Sequence, residues 1–242
     1  MDDNNHKNYI DIMDQLGIKQ MILQRPPGTS KTHDAKKIVR AALSELDDDG
    51  LKKEKGNRWD IVQFHPSYCY EDFVRGITVS TKNENVVYET VNKIFGRMCK
   101  LANDDDDKNN KYFLIIDEIN RADIAAVFGE LIYALEYREE SISIPYEIDK
   151  KSEKNKNSEK DVDSKRERDS TLTVPEKLYI IGTMNTADRS IGTIDYAVRR
   201  RFLFFDLLPS EDVLKEFYSE DKDAAESIDA VAIDCLTRSM NS

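Results

Sequence analysis

The run KYFLIID, residues 111 to 117, constrains the chain more than any other stretch, because Tyr112 to Ile116 are apolar without interruption. A strand with one face in water alternates apolar and polar residues. A strand with no polar face is buried on both sides, as happens in a parallel sheet covered by helices. LYIIGTMN (178 to 185) repeats the pattern, and Gln20 to Gln24 carries a shorter apolar centre, Met21 to Leu23. WDIVQF (59 to 64) and FLFFDL (202 to 207) complete a set of five strands. Between them Lys31 to Leu46 reads as a helix, with Ile38, Val39, Ala42 and Leu43 on one side. Asp123 to Tyr137 reads as a second, its Ile124, Val127, Phe128, Leu131 and Leu135 spaced by three and four. IDYAVRRR (194 to 201) reads as a short third. Strands that alternate with helices place the chain in the α/β class, with a parallel sheet flanked by helices on both faces.

The remaining segments read as connections. DDDGLKKEKGNR is a solvated link, a polar tract follows WDIVQF, and the segment about 103–110, NDDDDKNN, is too charged to pack and reads as a mobile loop. SISIPYEI and TLTVP form a hairpin whose tip, about 149–170, has a composition that favours disorder. A helical tail begins near Ser210. At 242 residues the chain suits one α/β domain, or one domain with a small appendage. Its net charge of -11 argues against a broad DNA-binding face, which would need cations to displace phosphate counterions. The cysteines Cys69, Cys99 and Cys235 and the histidines His6, His33 and His65 give no disulfide framework or zinc pattern. The start, MDDNNHKN, is unlike a signal peptide, and no apolar run reaches the ~18 residues of a membrane span, so a soluble, cytoplasmic protein is expected.

LQRPPGTSKTH (23 to 33) lies between the first strand and the first helix. A strand, a tight loop and a helix in that order gather backbone N–H groups and the positive end of the helix around an anion. Pro27, Gly28, Thr29 and Ser30 would wrap phosphates, Lys31 would reach the β and γ phosphates, and the Thr32 hydroxyl would ligate Mg²⁺. The glycines of the G-x-x-x-x-G-K-[ST] pattern are replaced by Arg25 and Ser30. A non-glycine residue at positive φ costs about 1–2 kcal/mol. One charge-assisted hydrogen bond to phosphate offsets about that much. A second element supports the site: LIIDE ends a buried strand in Asp117, suited to hold Mg²⁺, and Glu118, suited to deprotonate an attacking water. Taken alone, PPGTS also reads as an ordinary turn, and a strand-end Asp-Glu is more often a solvated loop start. Their order on one sheet favours a nucleotide site.

FHPSYCYEDFVRGI (64 to 77), IDEINRAD (116 to 123), GTMNTADRS (182 to 190) and DYAVRRRF (195 to 202) together resemble the AAA+ domain of the McrB-type restriction GTPases. The likeness covers about Gln20 to Leu208. It implies the AAA+ P-loop NTPase fold, a five-stranded parallel sheet over residues 1–208, with a short C-terminal helical lid over 209–242. It also implies that Asn185 is a polar sensor that helps place the attacking water, with Asp188 and Arg189 arranged around the nucleotide. Arg199 and Arg200 would be arginine fingers that reach the nucleotide of a neighbouring subunit. GTP is the fuel of that family, and ATP that of most of the wider fold. Partners implied are further copies in a hexameric ring and an McrC-like endonuclease, with DNA engaged only indirectly.

Bland readings stand beside these. Asn185 also suits a cap on the turn after its strand, and Arg199 to Arg201 a solvated helix face. His65, Tyr68, Tyr70 and Phe73 read as packing. The family's lid is fuller than this tail and a DNA-reading domain usually precedes its motor, so the chain reads as a fragment or a degenerate paralogue. Besides a Mg²⁺-dependent NTPase, the sequence is compatible with a nucleotide-binding but hydrolytically weak scaffold, or with a MoxR-like remodelling ATPase.

Overall fold

In the computed structural model the described residues are 3–25, 31–82, 85–149, 168–185 and 194–206. In chain order the elements are α1 (Asp3–Leu16), β1 (Gln20–Arg25), α2 (Lys31–Ala42), α3 (Asp48–Lys53), β2 (Trp59–Gln63), α4 (Tyr70–Phe73) and β3 (Arg75–Lys82). After them come β4 (Asn85–Asn92), α5 (Ile94–Asp104), β5 (Tyr112–Asp117), α6 (Ile124–Phe128) and α7 (Leu131–Ala134). The series ends with β6 (Ser141–Asp149), β7 (Arg168–Thr173), β8 (Leu178–Asn185), α8 (Tyr196–Arg199) and β9 (Leu203–Asp206). The five strands read from the sequence form one sheet in the order β2-β5-β8-β1-β9. Every pairing in it is parallel.

The uninterrupted apolar runs are explained by what covers them. Leu114, Ile116 and Ile180 pack with Phe64, Phe73, Phe95 and Phe128 on one face, beneath α4 to α7. Their alternate neighbours Phe113, Ile115, Tyr179 and Ile181 pack with Met13, Ile38 and Val39 on the other, beneath α1 and α2. Because successive side chains point to opposite faces, each run supplies both cores. Phe73 meets Phe95 at 5.0 Å and Phe128 at 5.1 Å between ring centroids. Each such buried ring stabilises the fold by roughly 1.5–3 kcal/mol.

Several sequence expectations are corrected. The helix expected over Asp123 to Tyr137 is two short ones, because Gly129 adopts φ 50 and ψ -125 between α6 and α7. That backbone suits glycine, and the chain turns there against the Tyr70 ring. The segment 103–110 stays mostly exposed, as its charge demands, but is tied down by hydrogen bonds where a mobile loop was expected. Asn103 and Asp104 finish α5, the Asp105 carboxylate accepts from Asn110 Nδ2 and Tyr112 Oη at 2.9 and 2.8 Å, and Lys177 Nζ donates to the Asp107 carbonyl at 3.1 Å. Its carboxylates also accept from backbone N–H groups, which holds Asp105 down at about 2. The polar tract after β2 contains α4, the hairpin β3–β4 and α5, and the solvated link contains α3, whose N-cap Asp47 accepts from Gly50 N at 2.6 Å. The first helix after β1 stops at Ala42, earlier than Leu46, and the polar start of the chain forms α1.

SISIPYEI and TLTVP do pair, as β6 and β7, in an antiparallel hairpin with an irregularity between Ser143 and Ile148. Most of the expected disordered tip lies outside the described residues, and Arg168 to Ser170 belong to β7. The helical lid over 209–242 lies outside them entirely. The hairpins β3–β4 and β6–β7 are separate two-stranded sheets. Arg75 joins them. Its guanidinium, 3% exposed, donates to Asn92 Oδ1 and to the carbonyls of Tyr146, Asp169 and Thr171 at 2.9 to 3.2 Å. No helix among the described residues is long and apolar enough to cross a membrane.

Candidate nucleotide site

In an open parallel sheet the ligand site lies beyond the carboxyl ends of the strands. Here β1 ends at Arg25, which pairs in register with Asn185, the last residue of β8. On the other side of β8, β5 ends at Asp117. α2 opens on Lys31, so the first N–H groups of a 12-residue helix point toward this same end of the sheet. Three strand ends and one helix start therefore converge.

Their side chains interlock. Thr32 Oγ1 donates to Asp117 Oδ1 at 2.6 Å, and Thr183 Oγ1 donates to the same oxygen at 2.6 Å. Lys31 Nζ donates to Asn185 Oδ1. Asn185 Nδ2 in turn donates to Glu118 Oε1 at 2.7 Å, so one amide joins the lysine to the carboxylate. Asn120 Nδ2 donates to the Asn185 carbonyl at 3.2 Å. Glu118 Oε2 is buried and accepts no hydrogen bond, although Arg121 Nε lies 3.3 Å away as an ion pair.

Glu118 also sits in the left-handed region, φ 54 and ψ 44. A non-glycine residue there costs about 1–2 kcal/mol. The strain ends β5 abruptly and starts a 3-10 turn, Ile119–Arg121, that carries Asn120 and Arg121 back toward Asn185 and Glu118. An extended continuation would direct Glu118 to the opposite face from Asp117.

The residues suit a hard cation and a polyphosphate. Thr32 gives its proton to Asp117, which leaves hydroxyl lone pairs for a metal, and the second donor is a carboxylate. Oxygen donors of this kind, few in number, match Mg²⁺, which takes one or two protein ligands and fills the rest with water and phosphate. No cluster of three or more His, Cys, Asp or Glu that could hold a metal occurs among the described residues, so a site built wholly of such protein ligands is not the alternative there.

Lys31, Thr32, Asp117, Glu118 and Asn185 are thus brought together as expected. Pro27, Gly28, Thr29, Ser30, Asp188 and Arg189 lie outside the described residues. Arg199 and Arg200 stand elsewhere. They precede β9, at the amino end of the sheet, where Arg199 lies over the Phe204 ring at 5.3 Å and Arg200 lies 3.9 Å from Glu136 Oε2. Both are exposed, whereas Arg201 is buried and holds the Ala197 carbonyl and Glu136. Of the packing residues, Tyr68 stacks on Phe64 at 4.6 Å, Phe73 is core, and Tyr70 Oη donates to Glu130 at 2.6 Å. The sequence reading missed Thr183, Asn120 and Arg121. Thr183 was findable in principle, since it lies two residues before Asn185 on one strand and so shares its face.

Residues 20–202 match the family described as an AAA domain of the dynein-related subfamily. The chain belongs to this family. It is 38% identical over 204 residues to the type IV methyl-directed restriction enzyme EcoKMcrB subunit of Escherichia coli (strain K12), a match that takes in 83% of this chain and 38% of that relative. The McrB-type resemblance carried by MNTADRS and its companion motifs is borne out. A second relative, the type II restriction enzyme BsuMI component YdiS of Bacillus subtilis (strain 168), is 30% identical over 93 residues, 38% of this chain and 26% of that one. The chain therefore spans well under half the length of either relative. Among solved structures, C. elegans PCH-2 aligns with a TM-score of 0.44 at 15% identity, over 90% of this chain and 47% of that one.

Proposed function

We propose that the chain binds a nucleoside triphosphate with Mg²⁺ and hydrolyses its terminal phosphoanhydride, as the motor module of a restriction system that acts on modified DNA. The observation that carries the reading is the Lys31–Asn185–Glu118 chain of hydrogen bonds beside the Thr32–Asp117 pair, at the carboxyl end of a parallel sheet. Lys31 neutralises the β and γ phosphate oxygens, and the N–H groups that open α2 face the same charge. Thr32 and Asp117 would hold Mg²⁺, which when bound would draw electron density from those oxygens. Glu118 Oε2, which accepts no hydrogen bond, takes a proton as water oxygen attacks the γ phosphorus and the bond to the β–γ bridging oxygen breaks. Asn185 holds the other carboxylate oxygen and orients that water.

Arg199 and Arg200, at the other end of the sheet from their own site, complete the site of a neighbouring copy in a hexameric ring, with Asp188 and Arg189 placed around the nucleotide. The resemblance of its motifs to the McrB-type restriction GTPases supports GTP as fuel, with ATP the alternative of the wider fold. It also supports an McrC-like endonuclease as partner and DNA contact through other parts of the assembly. Titration with fluorescent GTP and ATP, with and without Mg²⁺, tests the core of the reading. Tight, Mg²⁺-strengthened binding of one or both is expected, and no binding of either would overturn it.

A further inference from the structure

β8 is apolar from Leu178 to Ile181, yet two residues later it buries a hydroxyl completely: Thr183 is 0% exposed. That hydroxyl has two partners, and their chemistry fixes its direction. An ionised carboxylate only accepts, so Thr183 Oγ1 gives its proton to Asp117 Oδ1 at 2.6 Å. A lone pair then receives the Glu118 backbone N–H at 3.2 Å. The order is Glu118 N–H to Thr183 O–H to Asp117. One side chain on a neighbouring strand thus ties the Asp117 carboxylate to the backbone of Glu118.

The link falls where the chain is strained. Glu118 stands at φ 54, and the Thr183 hydroxyl is the partner of its N–H. Asp117 Oδ1 accepts from both Thr32 and Thr183, so the Thr183 bond fixes the oxygen to which the Thr32 hydroxyl is also joined. We infer that Thr183 is a positioning residue for hydrolysis, which sets Asp117 against Thr32 and holds Glu118 in its left-handed turn without touching the nucleotide. The role rests on the nucleotide-hydrolysing function proposed above.

The experiment compares Thr183→Val, which keeps the shape and removes the hydroxyl, with Thr183→Ser, which keeps the hydroxyl, in the full protein with Mg²⁺ and the better of GTP or ATP. Partners one step removed from a metal typically shift activity or metal affinity by about 10–100-fold. Thr183→Val is expected to lower kcat by about that factor and to raise the Mg²⁺ concentration for half-maximal turnover, with KM for the triphosphate changed less than about threefold. Thr183→Ser is expected to restore most of the loss. Thr183→Ala carries the same expectation as Val and replaces it should Val not fold.

Amide hydrogen exchange at Glu118 gives a readout that needs no turnover, and it should quicken in the hydroxyl-free variants and stay near the wild-type rate in Ser. Unchanged exchange at Glu118, or equal kcat and Mg²⁺ dependence in Val and wild type, overturns the positioning role while leaving the nucleotide site intact. Wild-type protein that binds no triphosphate overturns the proposed function, and the positioning role with it.

Discussion

Two carboxylates at opposite ends of the same sheet show how burial alone fails to mark function. Asp14 of α1, near the amino end of β8, receives Lys19 Nζ and Tyr179 Oη on one oxygen and Lys111 Nζ at 2.8 Å on the other. Partial burial opposes its ionisation, but those three donors outweigh it and hold the carboxyl down at about 2. Glu118, just past the carboxyl end of β5, receives one hydrogen bond from Asn185 and keeps a buried oxygen that accepts none. Asp14 is saturated and binds three elements together. Glu118 is held in place but left open, on a strained backbone, and an open carboxylate is what proton transfer requires.

The contrast breaks first at Glu118. Glu118→Gln keeps the shape and loses the proton acceptor, so turnover should fall by about 10²–10⁴-fold with triphosphate affinity nearly unchanged. Turnover followed by phosphate release, alongside a binding titration, checks it, and surviving hydrolysis would move the base elsewhere. Next, Lys31→Ala removes the ammonium at the phosphates and should weaken binding about 100-fold, equivalent to about 3 kcal/mol. Equal affinity in the two proteins would sink the site.

At the other end the expected effects are smaller and fall on stability. Since the carboxyl of Asp14 is depressed from 3.8 to about 2 on folding, its contribution is present above the unfolded value and is lost as pH falls through about 2. The group is about one-third exposed, so screening reduces the contribution to about 1 kcal/mol. Asp14→Asn should cost that much in urea unfolding at pH 7, with the gap closing as pH falls from about 4 toward about 2. Smallest of all, Tyr179→Phe removes one of the three donors and should cost about 0.5 kcal/mol, with turnover unaltered. A loss of turnover in either variant would mean that the two ends of the sheet are not separable in the way their carboxylates indicate.

How much of this could be read in advance depended on whether a residue's neighbours in sequence are its neighbours in space. KYFLIID and LYIIGTMN announce β5 and β8 because burial on both faces writes an unbroken apolar run. Lys31, Thr32, Asp117, Glu118 and Asn185 were legible because each sits at a strand end or helix start that such runs delimit. The hairpin β3–β4 was not, since its apolar Ile77, Val79, Val86 and Tyr88 are all exposed, so the short alternation Ile77-Thr78-Val79-Ser80 does not mark a core face. The 123–137 periodicity was real, but one glycine turned the chain. NDDDDKNN read as mobile because the bonds that tie it down, to the backbone amides around it and to Lys177, leave no trace in composition. Thr183 shares the strand face of Asn185, but its two bonds, to Asp117 and to the Glu118 backbone, join segments far apart in sequence, so position alone did not single it out.

Arg75 has a mechanical consequence. Its guanidinium holds carbonyls on both strands of β6–β7 while its backbone is the first rung of β3–β4, so shearing the hairpins apart would break several charge-assisted bonds together. The two hairpins are thereby braced against each other, beside α4 and α5. β7 runs through only four residues, Val174 to Lys177, into β8, whose far end is Asn185. A tug on the exposed Val79–Tyr88 rung therefore has a short load path, through Arg75 and along β8, to the amide that braces Glu118.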